Sequence, residues 1–117
     1  MTTDYEKLVN QKPKHEKYEI ETTLVLSTAH ITEEDDTKLK NHHNENGGMF
    51  GELGLCLTEH EYGHLIYLTQ DTITKKLRNE FSDGFIKSLE LGLKLKVNYV
   101  KFDLDANLID ELPDYGW

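Results

Sequence analysis

The chain has 117 residues, one domain's worth, and its 13 basic and 22 acidic side chains leave a formal charge of −9. That charge, with Arg78 as the single arginine, argues against a direct nucleic-acid binder, because a phosphate backbone calls for a basic surface. One cysteine, Cys56, excludes an internal disulfide and a cysteine-rich zinc site; no apolar run approaches the ~20 residues that span a bilayer.

Met1–Lys17 is polar, contains Pro13 and offers few apolar anchors, so it reads as a loosely attached arm. It lacks the apolar h-region of a signal peptide, and a cytoplasmic protein is expected. Residues 18–117 form the single domain. Tyr18–Ile31 reads as the first strand: Ile20, Thr22, Leu24 and Leu26 alternate with Glu19, Glu21, Thr23 and Val25, a period of two. Thr32 then caps a helix whose first turn holds Glu33, Glu34, Asp35 and Asp36, where the helix dipole favours anions. Asp35 stands three residues after the cap, where a capping box has Glu or Gln. Breaker chemistry in Asn44-Glu45-Asn46-Gly47-Gly48 ends this helix near His42–Asn44.

Leu53, Leu55 and Leu57, then Leu65–Leu68, flank a short glycine-containing link and predict a hairpin. A second helical stretch opens at Asp71 or Thr72, with Ile73, Leu77 and Phe81 and then Phe85, Leu89 and Leu93 spaced by four. Ser82-Asp83-Gly84 interrupts it and offers a second cap at Ser82; the stretch ends near Lys96, with Asn98 in the left-handed position. Tyr99–Leu104 is the last strand, and the apolar tail Leu108–Trp117 is expected to dock. The order β-α-β-β-α-β predicts an α+β domain: a mixed or antiparallel sheet with two main helices on one face, in the manner of a split β-α-β sandwich.

One motif invites an enzymatic reading. His60-Glu61-Tyr62-Gly63-His64 matches H-E-x-x-H, in which a helical turn sets two imidazoles on one zinc while the glutamate polarises a water. Asn79-Glu80-Phe81-Ser82-Asp83 resembles the segment that supplies a third ligand in thermolysin-like peptidases, which would make Glu80 that ligand. The flanks oppose this. Leucines alternate before the motif, and residues four apart on a straight strand stand ~13 Å apart, too far to share an ion. The hairpin is therefore the expected state, with no metal, no cofactor and no catalytic residue, and a minimal zinc hydrolase is the alternative.

Two further groups are candidates. Ser27, Thr28 and His30 lie where the first strand meets its helix, a favoured place for ligand contacts, so a small-molecule or nucleotide-binding role is a second alternative. The acidic runs weigh more. Glu33, Glu34, Asp35 and Asp36 form one; Asp103, Asp105, Asp110, Glu111 and Asp114 form another in a segment with no base. Tyr115 and Trp117 beside them are aromatic anchors of the kind found at interfaces. These residues are the expected partner-binding set, and the expected partner is a protein with a basic, nucleic-acid-binding surface. Self-association is left open. His42-His43 reads as surface loop and Cys56 as a small apolar packing group.

Leu26-Ser27-Thr28-Ala29-His30-Ile31-Thr32-Glu33-Glu34, together with Tyr99–Asp105 and Leu112-Pro113-Asp114-Tyr115-Gly116-Trp117, resembles a family of small uncharacterised proteins carried by phages, plasmids and other mobile elements. Glu61-Tyr62-Gly63 with Ile66-Tyr67 is similar to that family's central hairpin, so the resemblance covers residues 20–117 in spaced blocks. It implies a mobile-element accessory protein in a bacterial cytoplasm, without an established activity. By analogy with small acidic proteins of such elements, it implies an inhibitor of a host-defence protein.

Overall fold

The computed structural model describes residues 18–46, 53–60 and 63–117; the arm Met1–Lys17 lies outside them. The elements are β1 (Thr23–Ser27), a 3₁₀ turn (Thr28–His30), α1 (Glu33–Asn46), β2 (Cys56–His60), β3 (Gly63–Tyr67), α2 (Lys75–Glu80), α3 (Asp83–Lys94) and β4 (Tyr99–Asp103). The four strands make one mixed sheet in the order β1-β4-β3-β2. β1 runs parallel to β4, and the other two pairings are antiparallel. This is the expected α+β order.

Alternation sets the core. Leu24, Val100, Ile66 and Leu57 lie in register across the sheet, as do Leu26, Phe102 and His64, and all but the partly covered Leu24 are buried. Leu39 of α1, Leu77 of α2 and Phe85, Ile86 and Leu89 of α3 join these strand residues in one cluster. A stacked aromatic column carries it from helix to sheet, Phe81 on Phe85 at 4.2 Å and Phe85 on Phe102 at 5.8 Å between ring centroids. The opposite parity (Val25, Lys101, Leu65, Thr58) is exposed or half-buried, so among the described residues the helices cover one face of the sheet.

Several boundaries differ from the expected ones, each for a tertiary reason. The first strand is shorter than Tyr18–Ile31 because its only described ladder partner, β4, begins at Tyr99. Asn98 pins the strand's start by accepting from the Thr22 N–H at 3.0 Å, and Ile20, beyond it, is 58% exposed. α1 runs on to Asn46, since His42 reaches β2's approach and donates from Nε2 to the Leu55 carbonyl at 2.8 Å. The cap of α2 is Thr74, whose hydroxyl accepts from Leu77 N–H; Thr72 is instead buried in a turn with Thr69. Ser82 caps α3 as its spacing predicts. α3 ends in a Schellman motif, Lys96 N–H to Leu93 O and Val97 N–H to Gly92 O. The left-handed residue is therefore Lys96 (φ 59°), not Asn98.

Candidate partner-binding face

After β4 the chain turns on itself. Asp103 accepts through Oδ1 from the Asp105 N–H at 2.9 Å, and its carbonyl accepts from Ala106 N–H. Residues 107–117 then run back over the 3₁₀ turn as a strap. Leu112 inserts into the core at 7% exposure. Tyr115 N–H donates to the Ala29 carbonyl at 2.8 Å, and the Trp117 indole N–H donates to the Ile31 carbonyl at 2.6 Å. Gly84 at the start of α3 gives its N–H to the Tyr115 hydroxyl at 3.1 Å. The tail docks on its own domain.

His30 is the centre of this docking. It is fully buried, its Nδ1 lies 2.7 Å from the Pro113 carbonyl, and its Nε2 accepts from the Ile109 N–H at 3.1 Å. A carbonyl only accepts and an amide N–H only donates, so the imidazole is neutral with its hydrogen on Nδ1.

The end of the acidic strap reaches the approach to the first acidic run. Trp117 is tied to Ile31, two residues before Glu33, so the strap's end lies beside the first turn of α1. Glu33, Glu34, Asp110, Glu111 and Asp114 are exposed, with Tyr115 at 38% and Trp117 at 40% exposure beside them. Glu33, Glu34, Thr37 and Lys38 line an open cleft of about 410 Å³. The face is thus carboxylate-rich with two half-exposed aromatic rings.

A family model described as "Family of unknown function (DUF5983) C-terminal domain" matches residues 23–117. The chain belongs to this family. The match begins on the first residue of β1 and ends on Trp117, so the DUF5983 domain includes the whole sheet and the strap. No curated protein and no solved structure matches the chain.

The remaining expected partner residues of this DUF5983 domain are differently placed. Asp35 is 2% exposed. Its Oδ2 accepts from Thr32 N–H at 2.9 Å while its own N–H donates to the Thr32 hydroxyl at 3.0 Å, so an aspartate closes the capping box. Its carboxylate also takes the Ser82 N–H at 3.0 Å and the Ser82 hydroxyl, joining the N-termini of α1 and α3. Asp36 faces inward to His64, Nε2 to Oδ1 at 2.7 Å, and pairs with Lys40 at 3.0 Å. Burial pushes the Asp36 carboxyl upward, but the bonds and charges of His64 and Lys40 outweigh it and hold the group below the ordinary aspartate value. Asp103 is half-buried with Lys101 at 3.4 Å, and Asp105 is exposed at the turn.

Ser27, Thr28 and His30, the expected ligand-lining set, are all buried. Ser27 caps the 3₁₀ turn by accepting from Ala29 N–H at 3.1 Å, and His30 lies under the strap. The H-E-x-x-H stretch is divided between two strands: the backbone of His60 is registered with Gly63 and that of His64 with Glu59. The helical turn on which that motif's zinc chemistry depends is therefore not formed. Glu61 and the side chain of His60 lie outside the described residues. His64 is 1% exposed and bonded to Asp36, and Glu80 is an exposed partner of Lys38 at 3.7 Å. Among the described residues no three His, Cys, Asp or Glu side chains gather as a metal site, and no helix is long and apolar enough to cross a membrane. Cys56 is a half-buried free thiol.

Sequence reasoning missed the roles of His64 and His30. Both are solitary histidines in β-like segments, and their partners stand 28 to 83 residues away. The signal that existed was the position of His30 at a strand's C-terminal end, which marked the place but not the strap.

Proposed function

We propose that this DUF5983 domain is a non-enzymatic binding module that sets an acidic, aromatic-tipped face against a basic protein surface. The observation that supports the reading is the Trp117–Ile31 bond, which ties the end of the acidic strap to the residue two before Glu33. Separate, each run is an ordinary solvated surface. Tied together at the strap's end, they add to the negative field of a chain whose formal charge is −9, and such a field accelerates encounter with a basic partner. Tyr115 and Trp117, half-exposed among the carboxylates, supply the apolar contact on which interface affinity concentrates. The basic partner we favour is a nucleic-acid-binding protein of bacterial defence, blocked in the cytoplasm on behalf of a phage or plasmid; the mobile-element resemblance of residues 20–117 motivates that choice.

Affinity capture from bacterial lysate with the tagged chain tests the reading when three arms are compared. A partner held at ~0.05 M salt is expected to be lost at ~0.5 M, where screening is nearly complete, and to be displaced by added DNA. It is also expected to be lost to a variant carrying E33K, E34K, D110K and E111K together. Capture that survives both DNA and the four charge reversals sinks the proposal.

A further inference from the structure

The buried imidazole of His30 is bonded through both nitrogens to backbone groups of one segment, Ile109 N–H on Nε2 and Pro113 C=O on Nδ1. A neutral imidazole has one donor and one acceptor and satisfies both. A second proton would sit on Nε2 and face the Ile109 N–H, donor against donor, in a site with 0% exposure. Burying an unpaired donor beside a desolvated charge is costly, and the strap carries both groups that bond the ring.

We infer that His30 is a proton-sensitive latch, the positioning residue that docks the strap while neutral and releases it on protonation. The face then assembles at neutral pH and comes apart in acid. This deepens the binding-face reading and rests on it for its biological use, but the latch is measured with no partner present.

The strap that bonds His30 carries Asp110, Glu111, Asp114 and Tyr115; α3, whose Gly84 lies against the His30 carbonyl, carries Asp83, Lys87, Glu90 and Lys94; α1, which follows the turn, opens with Glu33, Glu34, Asp35 and Asp36; and β4, paired with β1, carries Lys101 and Asp103. None of them is a bonding partner of His30, whose hydrogen bonds are those to Ile109 and Pro113. The Ile109 bond uses the unprotonated Nε2 lone pair, so docking and protonation compete for one atom and docking weakens as pH falls.

Trp117 is the single tryptophan of the chain, and its indole is held against Ile31 when the strap is docked, so its emission reads docking directly. Between about pH 7.5 and pH 5, the full chain is expected to show a one-proton change in Trp117 emission. The Ile109 and Tyr115 amides are expected to lose at least roughly tenfold in protection after correction for intrinsic rates, while those of Leu89 and Val100 keep theirs. The His30 ring resonances should shift over the same interval. In His30→Gln the carboxamide also donates and accepts but does not titrate, so Trp117 emission should be independent of pH; His64→Gln should keep the transition. Strap amides that stay protected at pH 5, His30 resonances that do not move with Trp117, or a transition that persists in His30→Gln, would each overturn the latch. Loss of the latch leaves the neutral-pH capture experiment untouched, so the two failures are distinguishable.

Discussion

His64 and Asp36 are joined across the core, the imidazole of β3 bonded to the carboxylate of α1 at 2.7 Å. The imidazole is 1% exposed, and the carboxylate also pairs with Lys40 at the surface. The pair is asymmetric: Asp36 retains contact with water and a cation, whereas His64 has no second outlet, its Nδ1 being buried without a hydrogen-bond partner.

That asymmetry predicts an order of stabilities. Asp36→Ala leaves the His64 Nε2–H buried without its acceptor and should cost about 2–3 kcal/mol in urea unfolding at pH 7. His64→Leu, which removes the buried polar ring, should cost less. Equal losses would refute the assigned roles.

The same pair has a pH signature. The Asp36 carboxyl lies below its ordinary value in the folded state, so its contribution is fully present above the unfolded value of ~3.9 and is lost as pH falls through the lower folded value. The stability gap between wild type and Asp36→Asn should therefore close on acidification below about pH 4, as followed by urea midpoints. A gap that widens in acid contradicts the sign.

Asp35 joins two helix starts by accepting from Thr32, the Ser82 N–H and the Ser82 hydroxyl. Asp35→Ala removes these acceptors together and should destabilise by roughly 3 kcal/mol, combining a lost cap with buried unpaired donors. Amide exchange should rise first in the opening turns of α1 and α3. A loss below about 1 kcal/mol would mean that water replaces the carboxylate.

Lys96 holds a positive φ of 59° at the end of α3, a conformation that costs a side chain more than it costs glycine. Lys96→Gly should raise stability by about 0.5–1 kcal/mol, visible as a higher urea midpoint with unchanged slope. A destabilised variant would show that the lysine side chain contributes packing that outweighs the strain.

Gly84 lies where α3, the 3₁₀ turn and the strap converge: a Cβ there would stand 2.1 Å from the His30 carbonyl oxygen and 2.6 Å from the Tyr115 ring. Gly84→Ala should cost about 1–3 kcal/mol through overpacking and should shift Trp117 emission toward that of an exposed indole. A variant with wild-type emission and stability would show that the strap's seat is not tight.

Local chemistry by itself determined the order of elements, the α+β class, the Thr32 and Ser82 caps and the extended course on either side of residues 61–62, because alternation, spacing by four and capping hydroxyls act over a handful of neighbours. It also determined that the two acidic runs exist and that an apolar tail needs a seat. The tertiary structure decided which of those charges turn inward and which remain exposed. Asp35, Asp36, His30 and His64 read as surface or turn residues until their partners arrive from distant segments. The Trp117–Ile31 bond, 86 residues apart in the chain, forms only because the sheet places β4 parallel to β1. Both strands then end at the same edge of the domain, and the strap returns over the turn that leads into α1.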